Sequence, residues 1–249
     1  MAELALWVLL FVAGVLGGCI NAVAGGGSFV TFPALIAAGL DPLTANASNA
    51  VALYPGSAAA VPAYRRELAA AGQRALAIRC AIALAFGLAG ALLLLWVGGE
   101  AFEAAVPWLL LAATATYAFG PRIRALAEAA GSAARPAKRV LEALVATYGG
   151  FFGAGLGVMV MAVLTVAGLR GYDVQNAQKN LVVSVIKGIA VVTFIVAGAV
   201  AWPQTLAVFA GATVGGYGGA RLARRIPEGV LRATVIAAGL GLSAAYLFG

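Results

Sequence analysis

The chain has 249 residues, of which 63% are hydrophobic and only 10% are charged, and its mean hydropathy is +1.00. One water-soluble core cannot bury that much apolar side chain, so lipid must be the solvent and the chain is a polytopic membrane protein. Its net charge of +7 does not indicate nucleic-acid binding, because the basic residues gather in short segments between apolar runs, as in cytoplasmic loops.

Apolar segments follow one another along the chain, and about 20 apolar residues in a helix cross a membrane. We predict helical segments at about 4–24, 26–40, 44–64, 76–97, 103–120, 140–157, 158–169, 177–200, 203–220 and 229–247. The second segment of each group of five is too short to span. Each group is therefore expected to open with a glycine-broken hairpin that either crosses twice or re-enters.

The two groups of five are related by an internal repeat. A shift of 132 positions places Gly39, Asp41 and Ala45 on Gly171, Asp173 and Ala177, and it also superposes four other glycine pairs. Duplicated halves that meet at a central site are typical of transporters. We predict an all-α fold of two inverted repeats, residues 1–120 and 140–249, joined by a cytoplasmic linker at 121–139.

Orientation follows from the positions of lysine and arginine. The segments 65–75, 121–139 and 221–228 are basic and are expected in the cytoplasm, whereas the connection 98–102 has no basic residue and is expected outside. The N- and C-termini are therefore predicted to be periplasmic, and an odd number of crossings in each half makes the halves inverted.

Glycines mark the bend of each hairpin. Gly25, Gly26, Gly27 and Ser28 precede a short helix, where exposed backbone N–H groups attract anions. The alternative is that these glycines only allow close packing. Gly155 and Gly157 form a weaker version in the second half, so the two hairpins are expected to contribute unequally.

Lys187 lies near the middle of the apolar segment 177–200, where a charge costs about 2.5–3.5 kcal/mol and where the sequence shows no obvious carboxylate partner. An anionic solute is one partner that fits. The alternative is a pairing with backbone carbonyls, Asp41, Asp173 or Glu142. Lys179 is either a lysine at the membrane interface or a second positive charge that attracts the same anion. Asp41 and Asp173 are expected to cap helices.

Amide and hydroxyl side chains also lie within the apolar runs. Some will only join helices, and the others are expected to line a solute path at the midplane between the glycine breaks and the third segment of each half. The candidate substrate-binding residues are Asn21, Gly25, Gly26, Gly27, Ser28, Ser48, Asn49, Gly155, Gly157, Lys179, Asn180 and Lys187.

The sequence contains no histidine, no paired intramembrane carboxylates and no Walker-type phosphate loop. We therefore expect no enzyme activity, no metal and no cofactor. The expected partners are a small anionic solute and the lipid bilayer, and the sequence does not decide whether the chain forms a homo-oligomer. The alternatives to a transporter are a passive anion channel and a non-transporting membrane scaffold.

Three stretches also carry a family resemblance: Asn21-Ala-Val-Ala-Gly-Gly-Gly-Ser28, Phe32-Pro33 and Ala45-Asn-Ala-Ser48. The second half contains a weaker version of the same pattern. They resemble the TauE/SafE sulfite exporter family of bacterial inner-membrane anion transporters, and the resemblance covers nearly the whole chain. It implies export of sulfite or small organosulfur anions such as sulfoacetate. The second half departs from the triple-glycine pattern, with Gly-Leu-Gly-Val at 155–158.

Overall fold

The computed structural model describes residues 2–130 and 138–222, together with residues 233, 236, 237, 239–241, 243, 244 and 246. In this part of the chain the regular structure is helical, without strands, which confirms the predicted all-α class. In chain order the helices are α1 (Ala2–Ala24), α2 (Ser28–Ala37), α3 (Pro42–Ala58), α4 (Arg65–Ala70), α5 (Gln73–Ala130), α6 (Lys138–Phe151), α7 (Leu156–Val166), α8 (Tyr172–Val196) and α9 (Trp202–Leu222), with a 3-10 turn at Val61–Tyr64.

Three of the described helices are long and apolar enough to cross a membrane, judged by length and composition. These stretches are Glu3–Asn21 in α1, Gln73–Thr116 in α5 and Tyr172–Val196 in α8. The α5 stretch has 44 residues, about twice what one crossing needs. Gly98, with φ 78° and ψ 176°, interrupts the helical geometry and divides α5 into two arms, as the predicted segments 76–97 and 103–120 require.

The short helices α2 and α7 follow α1 and α6. They have 10 and 11 residues, so each is about 15–17 Å long and cannot cross about 30 Å of hydrocarbon. The predicted shortness of these segments is confirmed. A glycine in the left-handed region follows each short helix, Gly39 with φ 86° after α2 and Gly168 with φ 83° after α7. Asp41 then caps α3 by accepting a hydrogen bond from Thr44 N at 3.0 Å, as predicted. The same prediction for Asp173 is wrong, because Gly171 occupies the N-cap position of α8 and Asp173 lies in its first turn.

Two pairs of helices pack against each other through faces lined by glycines, and we call these contacts seams. In the first, α1 packs against α9, and a Cβ on Gly14 or Gly18 would overlap the backbone of Val208 or Ala212. In the second, the first arm of α5 packs against α6, where a Cβ on Gly90 would overlap the carbonyl oxygen of Thr147. Backbones approach this closely only where side chains are absent.

Some helix boundaries differ from the prediction. The predicted segment 44–64 ends as an α-helix at Ala58 and continues as the 3-10 turn, because Pro62 cannot donate the next α-helical hydrogen bond. α5 continues through the first part of the predicted linker to Ala130, since residues 122–130 are alanine, leucine, isoleucine, arginine and glutamate, mostly strong helix formers. Residues 131–137 and most of the predicted segment 229–247 lie outside the described residues.

Candidate functional site

A glycine-rich break in helical structure, residues 25–27, separates α1 from α2. Gly25 is exposed with φ 72°, and its N–H donates to Asn21 O at 3.1 Å. Gly26 and Gly27 are buried, and a Cβ on Gly27 would overlap the carbonyl oxygen of Gly17. Close helix packing therefore explains Gly27, which was the alternative to anion binding.

The second break lies between α6 and α7 and includes two glycines in the left-handed region, Gly153 with φ 75° and Gly155 with φ 69°. Gly155 is the residue that precedes α7. The hydroxyl of Tyr148 donates to the carbonyl oxygen of Ala154 at 2.7 Å. This hydrogen bond ties the break back to α6 and fixes its shape.

Aromatic side chains join the two breaks. Phe152, which follows α6 directly, packs edge-on against Phe32 of α2, with ring centroids 5.7 Å apart. Phe102, in the second arm of α5, lies 6.2 Å from Phe152 and 5.6 Å from Phe151. The α2 helix and the break after α6 therefore contact each other through Phe32 and Phe152, although these residues are 120 positions apart in the sequence.

A pocket lies between these breaks and the helices α3 and α8. We call it the central pocket, and the described residues that line it are Ser28, Asn46, Asn49, Ala50, Leu53, Gly149, Gly150, Phe152, Gly153, Lys187, Ala190 and Phe194. About 340 Å³ lies between its walls, including its opening. The pocket is therefore suited only to a small solute.

Lys187 is the charged side chain among the described residues of the central pocket. None of the carboxylates considered as its partner is available. Glu142 pairs with Arg79 at 2.9 Å and with Arg139 at 2.6 Å, and Asp41 caps α3. Asp173 is 14 residues earlier on α8, about 21 Å along the helix. Within residues 2–130 and 138–222, the structure gives the side chain of Lys187 no ion pair or hydrogen bond.

Two asparagines of α3 place polar groups beside Lys187. Asn46 and Asn49 have exposed fractions of only 2% and 3%. The amide nitrogen of Asn46 donates to Phe151 O at 3.0 Å, and Asn49 is hydrogen-bonded to Thr31. Each asparagine therefore joins α3 to a residue beside one of the two breaks and also lines the pocket.

The predicted site residues fall into two groups. The structure brings Ser28, Asn49 and Lys187 together in the central pocket. The others lie outside its lining, and these are Asn21, Gly25, Gly26, Gly27, Ser48, Gly155, Gly157, Lys179 and Asn180.

Some residues of the second group have structural contacts. Ser48 is fully buried, and its hydroxyl oxygen accepts a hydrogen bond from Ala201 N at 3.0 Å. Lys179 runs along the start of α7, where a Cβ on Gly157 would lie 3.9 Å from its Cδ. Whether these residues contact a solute stays a prediction.

Sequence reasoning did not select several residues of the pocket wall. Asn46 is absent from the candidate residues above, although it is a polar residue in an apolar run and its position one helical turn before Asn49 is a usable signal. The apolar residues Leu53, Phe152, Ala190 and Phe194 carried no such signal, because their side chains look like any others in a membrane helix.

A buried charge cluster joins α5, α6 and α8 near one end of the molecule. Arg79 donates to Glu142 at 2.9 Å and also to Gln178, and Arg139 completes the cluster. The side chains of Arg79 and Glu142 are each only 9% exposed. Arg79 lies in the second turn of α5, and its ion pair with Glu142 joins α5 to α6.

The known proteins that this chain is similar to are described as exporters or membrane transporters. A family model described as "Sulfite exporter TauE/SafE" matches residues 10–247. The chain is 28% identical to "Probable membrane transporter protein YfcA" of Escherichia coli (strain K12) over 251 residues, covering 100% of this chain and 91% of that protein. It is 29% identical to "Probable membrane transporter protein ORF9" of Sinorhizobium sp over 249 residues, covering 98% and 94%. No solved structure matches the chain.

Proposed function

The chain belongs to the TauE/SafE sulfite exporter family of membrane transporters, and we propose that it exports sulfite or another small organosulfur or organic anion across the bacterial inner membrane. The observation that carries the proposal is Lys187, a cation without a described protein partner in a small pocket. A buried lysine is costly in a membrane unless something compensates its charge, and an anionic solute does so.

We place the solute site at the midplane, between two inverted repeats. The order of elements supports this arrangement, because a helix, a glycine break, a shorter helix, a glycine turn and a further helix occur as α1–α2–α3 and again as α6–α7–α8. The seams support it as well. α1 packs on α9, and α6 packs on the first arm of α5, so the opening helix of each half contacts the fourth predicted segment of the other half.

Two further features belong to this proposal. Residues 1–120 and 140–249 form the halves, and the linker 121–139 lies in the cytoplasm. The central pocket then has walls from both halves, since Ser28, Asn46 and Asn49 come from the first and Lys187 and Phe152 from the second. Movement of one half against the other can expose such a pocket to either side of the membrane in turn.

The orientation can be measured by labelling single cysteines in a background without Cys19 and Cys80. We expect an impermeant thiol reagent added to intact cells to label position 100, because the connection 98–102 carries no basic residue. Position 130 should be labelled only after the cells are opened. Labelling of position 130 in intact cells would contradict the proposed orientation.

Reconstitution tests the transport function itself. Proteoliposomes containing the purified chain should show saturable uptake of radiolabelled sulfite, accelerated when unlabelled sulfite is present on the other side. A passive channel would give flux without saturation or such counter-transport, and a membrane scaffold would give no flux. Lys187→Met proteoliposomes serve as the control for flux that does not depend on the central pocket.

A further inference from the structure

The described lining of the central pocket carries a small net positive charge. Lys187 supplies one positive charge, and the other described lining residues are polar or apolar. Lys179 is eight residues earlier on α8, about 12 Å along the helix axis, and it lies outside the lining. No carboxylate of a described residue lines the pocket to offset Lys187.

Helix ends add little to this charge. A helix N-terminus behaves like about half a positive charge and a C-terminus like about half a negative charge. At each break the two kinds of end adjoin, because α1 ends at Ala24 just before α2 begins at Ser28, and α6 ends at Phe151 just before α7 begins at Leu156. Their opposite partial charges largely cancel, which leaves the net charge of the described part of the pocket wall close to +1.

A net charge of +1 in a low-dielectric site selects one charge state of the solute. A monoanion pairs with Lys187 and leaves no charge uncompensated. A dianion would leave one negative charge unpaired, and a neutral solute would leave Lys187 itself unpaired. In both cases a buried charge has no partner, and burying an unpaired charge costs free energy.

Part of the wall is apolar. Leu53, Phe152 and Phe194, together with two alanines, face the same space as Lys187, Asn49 and Ser28. A solute with a charged head and a short apolar group can satisfy both parts of this wall, and each buried CH₂ group should tighten binding about fourfold until the space is filled.

We infer that the central pocket takes a small amphiphilic monoanion, such as a short alkyl sulfonate, in preference to a dianion. This inference rests on the proposed function and narrows it. Sulfite would be carried in its singly charged form, hydrogensulfite, and sulfoacetate, a dianion at neutral pH, would be a poor solute.

Three probes of nearly the same size and shape separate the charge states: methanesulfonate as the monoanion, sulfate as the dianion and dimethyl sulfone as the neutral compound. Each is tested as a competitor of radiolabelled sulfite transport in proteoliposomes. We expect methanesulfonate to inhibit at concentrations at least about tenfold lower than either of the others. Sulfate inhibition as strong as that of methanesulfonate would overturn the inference.

A second positive charge in the wall should reverse this preference. Leu53→Lys adds a cation to the wall of the pocket, and Leu53→Met is the matched uncharged control. We expect sulfate to become the stronger competitor in Leu53→Lys and methanesulfonate to remain so in Leu53→Met. An unchanged preference in a folded Leu53→Lys protein would contradict the inference. If Leu53→Lys does not fold, the wild-type comparison of methanesulfonate with sulfate decides alone.

Failure of the inference can be told apart from failure of the proposed function. If sulfate competes as well as methanesulfonate while Lys187→Met abolishes sulfite transport, the charge preference is wrong and the anion site stands. If none of the probes competes and Lys187→Met transports sulfite normally, the anion site itself is wrong.

Discussion

Replacement of Lys187 with methionine is expected to lower the affinity for the transported anion about 10- to 100-fold while leaving the protein folded. A hydrogen bond to a charged group contributes about 1.5–3 kcal/mol, which corresponds to this range of affinity. The structure strengthens the expectation of a stable variant, because no described carboxylate pairs with Lys187. Its removal therefore strands no buried negative charge and relieves a desolvation cost.

Two further variants make the Lys187 experiment specific. Lys179→Met removes the same charge from the same helix outside the central pocket, so it should affect sulfite affinity much less. Lys187→Arg keeps the charge but changes its geometry, and it should be intermediate. Sulfite uptake and the melting temperature in detergent are measured on the same preparations. A stable Lys187→Met protein with normal uptake would remove Lys187 from the anion site.

Alanine at Gly215 is expected to destabilise the protein by about 1–3 kcal/mol, the usual cost of overpacking a filled interior. Gly215 is buried in the seam between α9 and α1, and a Cβ there would overlap the carbonyl group of Val15. Backbone atoms cannot rotate away as a flexible side chain can. The two helices must separate, and contacts along the rest of the seam weaken.

Gly216 is the matched control for this prediction. It is the next residue of α9, and the nearest atom to a Cβ there is Gly18 O at 4.0 Å. Alanine at this position should be neutral or should stabilise the helix by up to about 1 kcal/mol, because alanine is the better helix former. Detergent melting temperatures of the two variants test the seam, and equal values would show that the backbones are not in close contact.

The helices of this protein were largely predictable because their signals are local. Glycine turns mark the ends of α2 and α7, Asp41 caps α3, and Gly98 divides α5, and each of these acts within a few residues of its own position. The end of α5 was harder to predict. Pro121 reads as a helix breaker, but the alanine-rich residues after it continue the helix to Ala130.

The site was only partly predictable, because a pocket is made by contacts between distant residues. Lys187 could be found from the sequence, since a lysine in an apolar segment is unusual wherever it points. The pairing of Phe32 with Phe152 could not be found, because one phenylalanine in a membrane helix looks like another. Ser48 was selected for its polarity, but its hydroxyl joins α3 to Ala201, and only the tertiary structure shows that.

The same limit applies to Arg79 and Glu142. The sequence shows an arginine at the start of one apolar segment and a glutamate at the start of another, 63 residues later. Each looks like an interfacial charge. Only the packing of α5 on α6 brings their side chains within 2.9 Å and buries them.

The seam between α1 and α9 also has a consequence for how the chain is made. Gly14 meets the backbone around Gly211, and 197 residues separate them. Ribosomes add about 5–20 residues per second, so α1 leaves the ribosome about 10–40 s before the helix that covers its glycine face. During that time the face is exposed to lipid or to the insertion machinery. α1 therefore reaches its final position only after α9 has been synthesised, and its docking against α9 follows the synthesis of all the helices between them.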